Sequence, residues 1–124
     1  MTLYSYWASG ASWRVRLTLL LKGWEYDKDI EYLAIDLNGD QYKEEYEQMN
    51  PAKLVPTLIL RDPNLSEEDI IMSESLPICE FIEEVYPDRR KLLPENPIDR
   101  QKVRRLCEVI NSNTQPIQNL AILQ

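Results

Sequence analysis

The chain has 124 residues, of which 44% are hydrophobic, and its 14 basic and 21 acidic residues give a formal net charge of −7. This length fits one domain, or one domain with part of a second, and the apolar content is sufficient for a folded core. The excess of acid argues against nucleic acid as the main partner, because binding phosphates needs a basic face.

Three absences narrow the chemistry further. The sequence has no histidine, which removes His-based proton transfer and His-ligated metal sites. Cys79 and Cys107 are too far apart for a Cys-x-x-Cys pair and too few for a Cys-rich zinc site. No apolar run approaches the roughly 20 residues of a membrane span, and the N-terminus does not resemble a signal peptide. We therefore expect a cytoplasmic protein without a metal, membrane or nucleic-acid partner, whose two thiols are inert core residues.

The first part of the chain predicts a strand, a helix and a second strand. A β-prone run over 2–6 is followed by a turn of small residues over 8–11. The next helix ends at Gly23, a residue that suits the position just past a helix. The apolar stripe that we expect on its core-facing side consists of Trp13, Leu17, Leu20 and Leu21. Alternating apolar residues over 29–35 predict the second strand.

The next part predicts a short helix, a hairpin and a third helix. The short helix ends at Asn50, just before a proline, and its apolar side consists of Tyr42, Tyr46 and Met49. Strands follow over 55–60 and 70–72, joined by a polar loop. We expect Ser75 to cap the third helix. The inward face of that helix consists of Ile78, Phe81, Ile82 and Val85.

The order β-α-β-α-β-β-α predicts an α/β fold of the thioredoxin-like type over residues 1–86. Its first two strands are joined by a helical crossover and should be parallel, whereas the hairpin strands should be antiparallel. This gives a mixed four-stranded sheet with helices on both faces. Residues 87–97 are rich in proline and charge and predict a linker. Residues 98–124 predict the first helices of an all-α domain that is cut short, and Pro116 either kinks or restarts the helix.

Two candidate sites lie at the start of a helix and of a strand. Free amides near Ser9 and Ser12 favour an anion or a thiolate, although either serine could serve only as a helix cap. At Val55-Pro56, a cis peptide bond would present the Val55 backbone to an extended ligand. The alternative there is an ordinary trans proline at a strand start.

Two further candidates involve polar side chains near later helices. Glu74 and Ser75 together suit an amino acid head group, because the carboxylate can hold an ammonium group and the hydroxyl a carboxylate. The alternative is a serine cap beside an acid. Gln115, Gln118 and Asn119 surround a proline, and they either line a pocket or form a polar helix break that faces solvent.

Short motifs along the whole chain add a resemblance. They are Tyr4-Ser5-Tyr6, Ser12-Trp13-Arg14-Val15-Arg16-Leu17, Leu21-Lys22-Gly23, Asn50-Pro51, Val55-Pro56-Thr57-Leu58, Glu74-Ser75-Leu76, Leu92-Leu93-Pro94 and Gln115-Pro116-x-Gln118-Asn119-Leu120. In this order they resemble the zeta-class glutathione transferases, a class that includes maleylacetoacetate isomerase. The second and the last of these motifs are the most specific for the class.

The resemblance implies glutathione as cosubstrate and assigns roles to the candidates. Ser9 matches the residue that activates the thiol of glutathione. Val55 matches the residue that pairs with the cysteinyl backbone, just before a cis proline. Glu74 and Ser75 match the pair that holds the γ-glutamyl head group. The other implied glutathione-binding positions are Gly10, Ala11, Ser12, Gln41 near the glycyl end, Pro56, and Gln115, Asn119 and Leu120 on the active-site wall.

The resemblance also implies an activity, a small electrophilic substrate and a homodimer. The activity is a cis–trans isomerisation in which the thiolate of glutathione adds reversibly to an electron-poor double bond. The sequence departs from the class signature before Trp13, where an arginine, a serine and a cysteine are missing and Ala11 stands at the cysteine position. Two alternatives follow: a transferase with conjugation or peroxidase activity, and a non-catalytic, transferase-like interaction module.

Overall fold

The computed structural model describes residues 1–118, which belong to two units that divide after Arg90. The first unit contains strands β1 (Thr2–Ser5), β2 (Glu31–Ala34), β3 (Thr57–Leu60) and β4 (Ile70–Ser73). Its helices are α1 (Gly10–Leu21), α2 (Glu44–Met49) and α3 (Ser75–Val85), with a 3₁₀ turn at Asp40–Tyr42. Within the described residues of the second unit, α4 (Pro97–Glu108) continues into a π-helical turn (Val109–Thr114) and a 3₁₀ turn (Pro116–Gln118).

The four strands form one mixed sheet in the order β2-β1-β3-β4. β1 is parallel to β2, whereas β3 is antiparallel to both β1 and β4. This confirms the predicted order of elements and the predicted pairing. No helix among residues 1–118 has the length and apolar character needed to cross a membrane.

Helices cover both faces of the sheet, because successive side chains of a strand point in opposite directions. Leu3 of β1 is fully buried in the main core with residues of α1, β3 and α3. The ring of its neighbour Tyr4 lies 5.6 Å from the ring of Tyr46 in α2, centroid to centroid. The buried members of the main core are Leu3, Val15, Leu19, Trp24, Ile30, Leu58, Ile78 and Ile82.

The start and end of α1 follow from local hydrogen bonds. Ser9 caps the start, since its side chain accepts a hydrogen bond from the Ser12 amide. At the end, Gly23 has a φ of 89°, and its amide donates to the Leu20 carbonyl while the Trp24 amide donates to Leu19. This is the Schellman arrangement, which favours glycine at the left-handed position. The predicted helix stop at Gly23 is confirmed.

The predicted inward face of α1 is wrong. The side chains expected to face the core are instead 44–49% exposed, namely Trp13, Leu17, Leu20 and Leu21. The buried residues of the helix are Ser12, Val15 and Leu19. These three residues lie three and four positions apart on the side of α1 that packs against the sheet and α3, and the predicted stripe lies on the other side.

Three smaller expectations also differ from the structure. Ser75 is the first residue of α3 and not its cap, because Glu74 takes the capping position with a φ of 67°. Tyr42 is 65% exposed, since the chain makes a separate 3₁₀ turn before α2. Cys79 and Cys107, both expected to be core residues, are half-buried thiols outside any disulfide of the described residues. Cys79 packs against the main core, whereas the described residues of the second unit include none that is buried.

The Tyr86 hydroxyl, just after α3, predicts a measurable pH dependence. It donates a hydrogen bond to Asp62 Oδ2 at 2.7 Å. Burial, followed by this bond to a carboxylate, raises the pKa of Tyr86 to about 12. The unfolded chain ionises this tyrosine near pH 10, so its contribution to stability is complete below pH 10 and is lost as the pH rises towards 12.

We therefore expect the free energy of unfolding to fall less steeply between pH 10 and 12 in Tyr86→Phe than in the wild type. Urea denaturation across this range measures the difference. Tyr42→Phe, at an exposed tyrosine, should keep the wild-type slope. Equal slopes for Tyr86→Phe and the wild type would contradict the expectation.

Candidate functional site

The sheet register brings most of the predicted site residues of the first unit to one edge. Tyr4 pairs with Thr57 and Thr57 pairs with Ser73. The segment that follows β1 therefore lies beside the segment that precedes β3, and the segment that follows β4 lies at the same edge. Because β1 and β2 are parallel, the segment after β2 also starts at this edge. The segments that meet at this edge carry residues 9–12, Gln41, Val55-Pro56 and Glu74-Ser75.

At the head of α1, Ser9 is both a cap and an available donor. Its Oγ accepts a hydrogen bond from the Ser12 amide at 3.2 Å. A hydroxyl has one donor and two acceptor positions, so this bond leaves the Ser9 O–H free to donate. The amides of Gly10 and Ala11 have no intrahelical acceptor and take part in no hydrogen bond of residues 1–118. The capping alternative and the anion-binding interpretation are therefore compatible.

Ser12 occupies a different environment from Ser9. It is fully buried, and its Oγ has no hydrogen-bond partner among the described residues. Its contribution at this end of α1 is the amide that holds the Ser9 side chain. The half-buried Ala11, at the position of the class cysteine, provides no thiol.

The Val55-Pro56 peptide bond is cis, as the resemblance implies. Neither the N–H nor the C=O of Val55 takes part in a hydrogen bond of residues 1–118. The preceding loop is held firmly, because the Leu54 carbonyl accepts from Tyr46 Oη at 2.6 Å and from Asn50 Nδ2 at 2.8 Å. Asn50 Nδ2 also donates to Thr57 Oγ1 at 3.0 Å. An unpaired backbone beside a fixed loop is suited to an extended ligand.

At the head of α3, Ser75 is nearly buried and has a cationic partner. Arg14 Nε of α1 donates to Ser75 Oγ at 3.0 Å. The neighbouring Glu74 is exposed, and its carboxylate takes part in no hydrogen bond or ion pair of the described residues. A carboxylate and a hydroxyl therefore lie next to each other in the chain, the first open to solvent and the second tied to α1.

Gln41 has a buried polar atom without a partner. The residue is 94% buried, since only 6% of its surface is exposed. Its Nε2 donates to the Leu37 carbonyl at 2.7 Å, while its Oε1 has no hydrogen-bond partner in residues 1–118. An orphaned acceptor of this kind is unfavourable unless a ligand or water provides a donor.

The remaining predicted residues belong to the second unit. Gln115 is half-buried, and its backbone N–H donates to the Ile110 carbonyl at the end of the π-helical turn. Asn119 and Leu120 lie outside the described residues. In residues 1–118, no three His, Cys, Asp or Glu side chains are grouped so as to hold a metal ion.

Three residues that are not predicted as site residues also shape this edge: Arg14, Tyr46 and Asn50. Arg14 lies in one of the motifs that carry the resemblance, but nothing in the sequence indicates its role here, because its partner Ser75 is 61 residues away. The Asn50-Pro51 motif predicts a helix stop and contributes to the resemblance, and an asparagine before proline in a polar loop is also a good source of hydrogen bonds to nearby backbone.

Comparison with known proteins places the chain in a family. Residues 3–90 match the family model of the glutathione S-transferase N-terminal domain. The chain is 40% identical over 122 residues to a probable maleylacetoacetate isomerase of Caenorhabditis elegans, covering 98% of this chain and 51% of that protein. It is 42% identical over 125 residues to maleylacetoacetate isomerase of Rattus norvegicus, covering 98% and 52%. The chain thus spans about half the length of the curated relatives it matches.

Solved structures show the same similarity. The holo structure of maleyl pyruvate isomerase, a bacterial zeta-class enzyme, superposes with a TM-score of 0.81 and 37% identity, covering 99% of this chain and 53% of that chain. Maleylacetoacetate isomerase of Anaeromyxobacter dehalogenans, with glutathione bound in its active site, has a TM-score of 0.78 and 40% identity, covering 98% and 53%. The chain therefore belongs to the glutathione S-transferase family, and within it the predicted resemblance to zeta-class maleylacetoacetate isomerases is confirmed.

Proposed function

We propose that this chain binds glutathione at the sheet edge described above and serves a glutathione-dependent cis–trans isomerase of the maleylacetoacetate isomerase type. The family assignment and the similarity to zeta-class isomerases support this proposal. The observation that carries it is the unpaired Val55 backbone at the same edge as the capped head of α1. In this proposal the other substrate is a small molecule with an electron-poor double bond.

The residues present fit glutathione, and the chemistry that glutathione supplies is its thiol nucleophile. The free N–H and C=O of Val55 suit the peptide backbone of an extended tripeptide. The orphaned Oε1 of Gln41 is an acceptor for a ligand N–H. Glu74 and Ser75 suit the ammonium and carboxylate groups of the γ-glutamyl end. Gln115, Asn119 and Leu120 stay proposed members of the active-site wall.

The head of α1 is suited to stabilising a negative charge. The Gly10 and Ala11 amides point their N–H groups out of the helix start, where a helix end contributes about 0.3–1 kcal/mol, and up to about 2 kcal/mol when partly buried. The Ser9 O–H adds a hydrogen bond to the same charge. One unit of thiol pKa corresponds to about 1.4 kcal/mol, so the two effects together lower a thiol pKa by one unit or more. This lets Ser9 promote loss of the thiol proton without any histidine.

Ser9→Ala should therefore raise the pKa of the thiol of bound glutathione by about one unit, because a hydrogen bond to a charged group is removed. Titration of thiolate absorbance measures this pKa. Ser9→Thr is the matched control, since threonine keeps both the helix cap and the hydroxyl, and its midpoint should equal that of the wild type. Equal midpoints for Ser9→Ala and the wild type would remove Ser9 from the proposed catalytic role.

Two observations favour a second candidate function, glutathione conjugation. Ala11 stands where the class signature has a cysteine, and a glutathione S-transferase of Dianthus caryophyllus is 38% identical over 124 residues. Product analysis separates the two functions, because isomerisation regenerates glutathione whereas conjugation consumes it.

We also propose a cytoplasmic homodimer, in which residues 87–97 link a glutathione-binding domain over 1–86 to helices over 98–124. Two cysteines that form no disulfide within the described residues support a reducing compartment. In the second unit, exposed apolar side chains support burial against a second copy, since 45–67% of each is open to solvent: Ile98, Leu106, Val109, Ile110 and Ile117. The acidic residues lie mostly in 1–90, whereas residues 91–124 carry more basic than acidic side chains.

Light scattering over a dilution series should therefore show a dimer at tens of micromolar. Leu106→Asp should dissociate it, because it places a charge on the exposed apolar side chains. Gln101→Asp, on the same helix at an already polar position, is the control that should leave the dimer intact. A monomeric wild type at this concentration would contradict the proposal.

A further inference from the structure

In the hydrogen bond between Arg14 and Ser75, the donor and the acceptor are defined by their chemistry. Arg14 Nε donates to Ser75 Oγ at 3.0 Å, joining the middle of α1 to the first residue of α3. A guanidinium carries only donors, so the serine oxygen must be the acceptor in this contact. Ser75 therefore keeps its own O–H for another acceptor, and among residues 1–118 no such acceptor is present.

The surroundings of Ser75 favour donation of its hydroxyl group to a ligand. Ser75 is 96% buried, given its exposed fraction of 4%, so bulk water does not readily reorient its hydroxyl. The backbone N–H groups of Ser75 and Leu76 lie in the first turn and have no intrahelical acceptor. Pro77 has no backbone N–H, and the Ile78 N–H donates to the Glu74 carbonyl. The head of α3 therefore presents donors, backed by one cation.

We infer that Arg14 is a positioning residue that fixes Ser75 as a hydrogen-bond donor and thereby makes the head of α3 selective for a ligand carboxylate. The inference rests on the proposed function, in which the ligand carboxylate is the α-carboxylate of glutathione. A donor that is itself polarised by an upstream cationic N–H donates more strongly. Arg14 acts through Ser75, in the same way that the Ser12 amide acts through Ser9 at the head of α1.

The test compares two probes by calorimetry with the full 124-residue chain. One probe is glutathione, and the other is γ-aminobutyryl-cysteinylglycine, which is glutathione without the α-carboxylate. We expect Arg14→Gln to weaken glutathione binding about tenfold, the typical effect of losing a charge-assisted hydrogen bond, and to change binding of the decarboxylated probe less than about twofold. A glutamine side chain can accept as well as donate, so it no longer forces the Ser75 hydroxyl to donate outward.

Arg14→Lys is the rescuing variant, because an ammonium group is cationic and carries only donors. It should keep the ratio of the two dissociation constants within about threefold of the wild type. Arg61→Gln is the matched control, since Arg61 also donates to a hydroxyl, Thr2 Oγ1 at 2.8 Å, but follows the other end of β3. It should leave the ratio unchanged. In the Ser75→Ala background, Arg14→Gln should cause no further loss for either probe.

The outcomes separate this inference from the proposed function. If the wild type does not bind glutathione, the proposed function fails and the inference with it. If the wild type binds glutathione but Arg14→Gln weakens both probes equally, or Arg14→Lys loses as much discrimination as Arg14→Gln, only the role of Arg14 is overturned. Additive losses in the double variant would also overturn it, because Arg14 would then act independently of Ser75.

Discussion

Lys22→Ala should lower the free energy of unfolding by about 3–5 kcal/mol, the range expected when one partner of a buried ion pair is removed. Lys22 is the last residue before Gly23, and its side chain is completely buried. Its Nζ lies 2.6 Å from Glu83 Oε2 and donates to the Tyr86 carbonyl at 3.3 Å. The substitution removes this ion pair from a carboxylate that is only 13% exposed. Urea denaturation at neutral pH measures the loss.

Two comparisons make this prediction specific to the buried pair. Lys28→Ala removes an exposed pair with Glu25 and should change stability by less than about 1 kcal/mol. The double variant Lys22→Met/Glu83→Leu replaces both charges by apolar groups and should recover most of the loss, because the buried carboxylate is removed together with the lysine. A loss for Lys22→Ala no larger than that for Lys28→Ala would show that the pair contributes little.

Asn50→Asp should be nearly as damaging, with a loss of about 3 kcal/mol or more, although it changes the side-chain volume hardly at all. Asn50 is 2% exposed, and its Nδ2 donates to the Leu54 carbonyl and to Thr57 Oγ1. In the variant a carboxylate oxygen faces the Leu54 carbonyl, so two acceptors meet in a buried space. Burial favours the neutral carboxyl, and the variant should therefore recover part of its stability at acidic pH.

Asn96→Asp is the matched control for this change. Asn96 caps α4 by accepting from the Ile98 amide at 2.8 Å, and aspartate caps a helix about as well as asparagine. Its stability should match that of the wild type. Because Asn50 holds the loop before Val55, the Asn50→Asp variant should also bind glutathione more weakly in calorimetry. Equal stability of Asn50→Asp and the wild type at neutral pH would contradict the role given to this network.

Local chemistry made much of the architecture predictable from the sequence. Gly23 could be identified as a helix stop because only the residue's own conformational freedom is involved. The strand–helix–strand order determined the parallel pairing of β1 and β2, since a crossover of this kind leaves few alternatives. The segments around Ser9, Val55 and Ser75 were identified from short motifs, and the register then placed them at one edge of the sheet.

Only the tertiary structure decided which side of α1 is buried and which distant groups meet. The apolar stripe of α1 is exposed because α3 and the sheet pack against the side of the helix that carries Ser12, Val15 and Leu19. Lys22 is buried only because Glu83 and the Tyr86 carbonyl, more than 60 residues later, close over it. The donor role of Ser75 likewise depends on Arg14 in another helix. Periodicity and spacing carry local information, whereas burial and pairing are set by surfaces that come together only when the whole domain is packed.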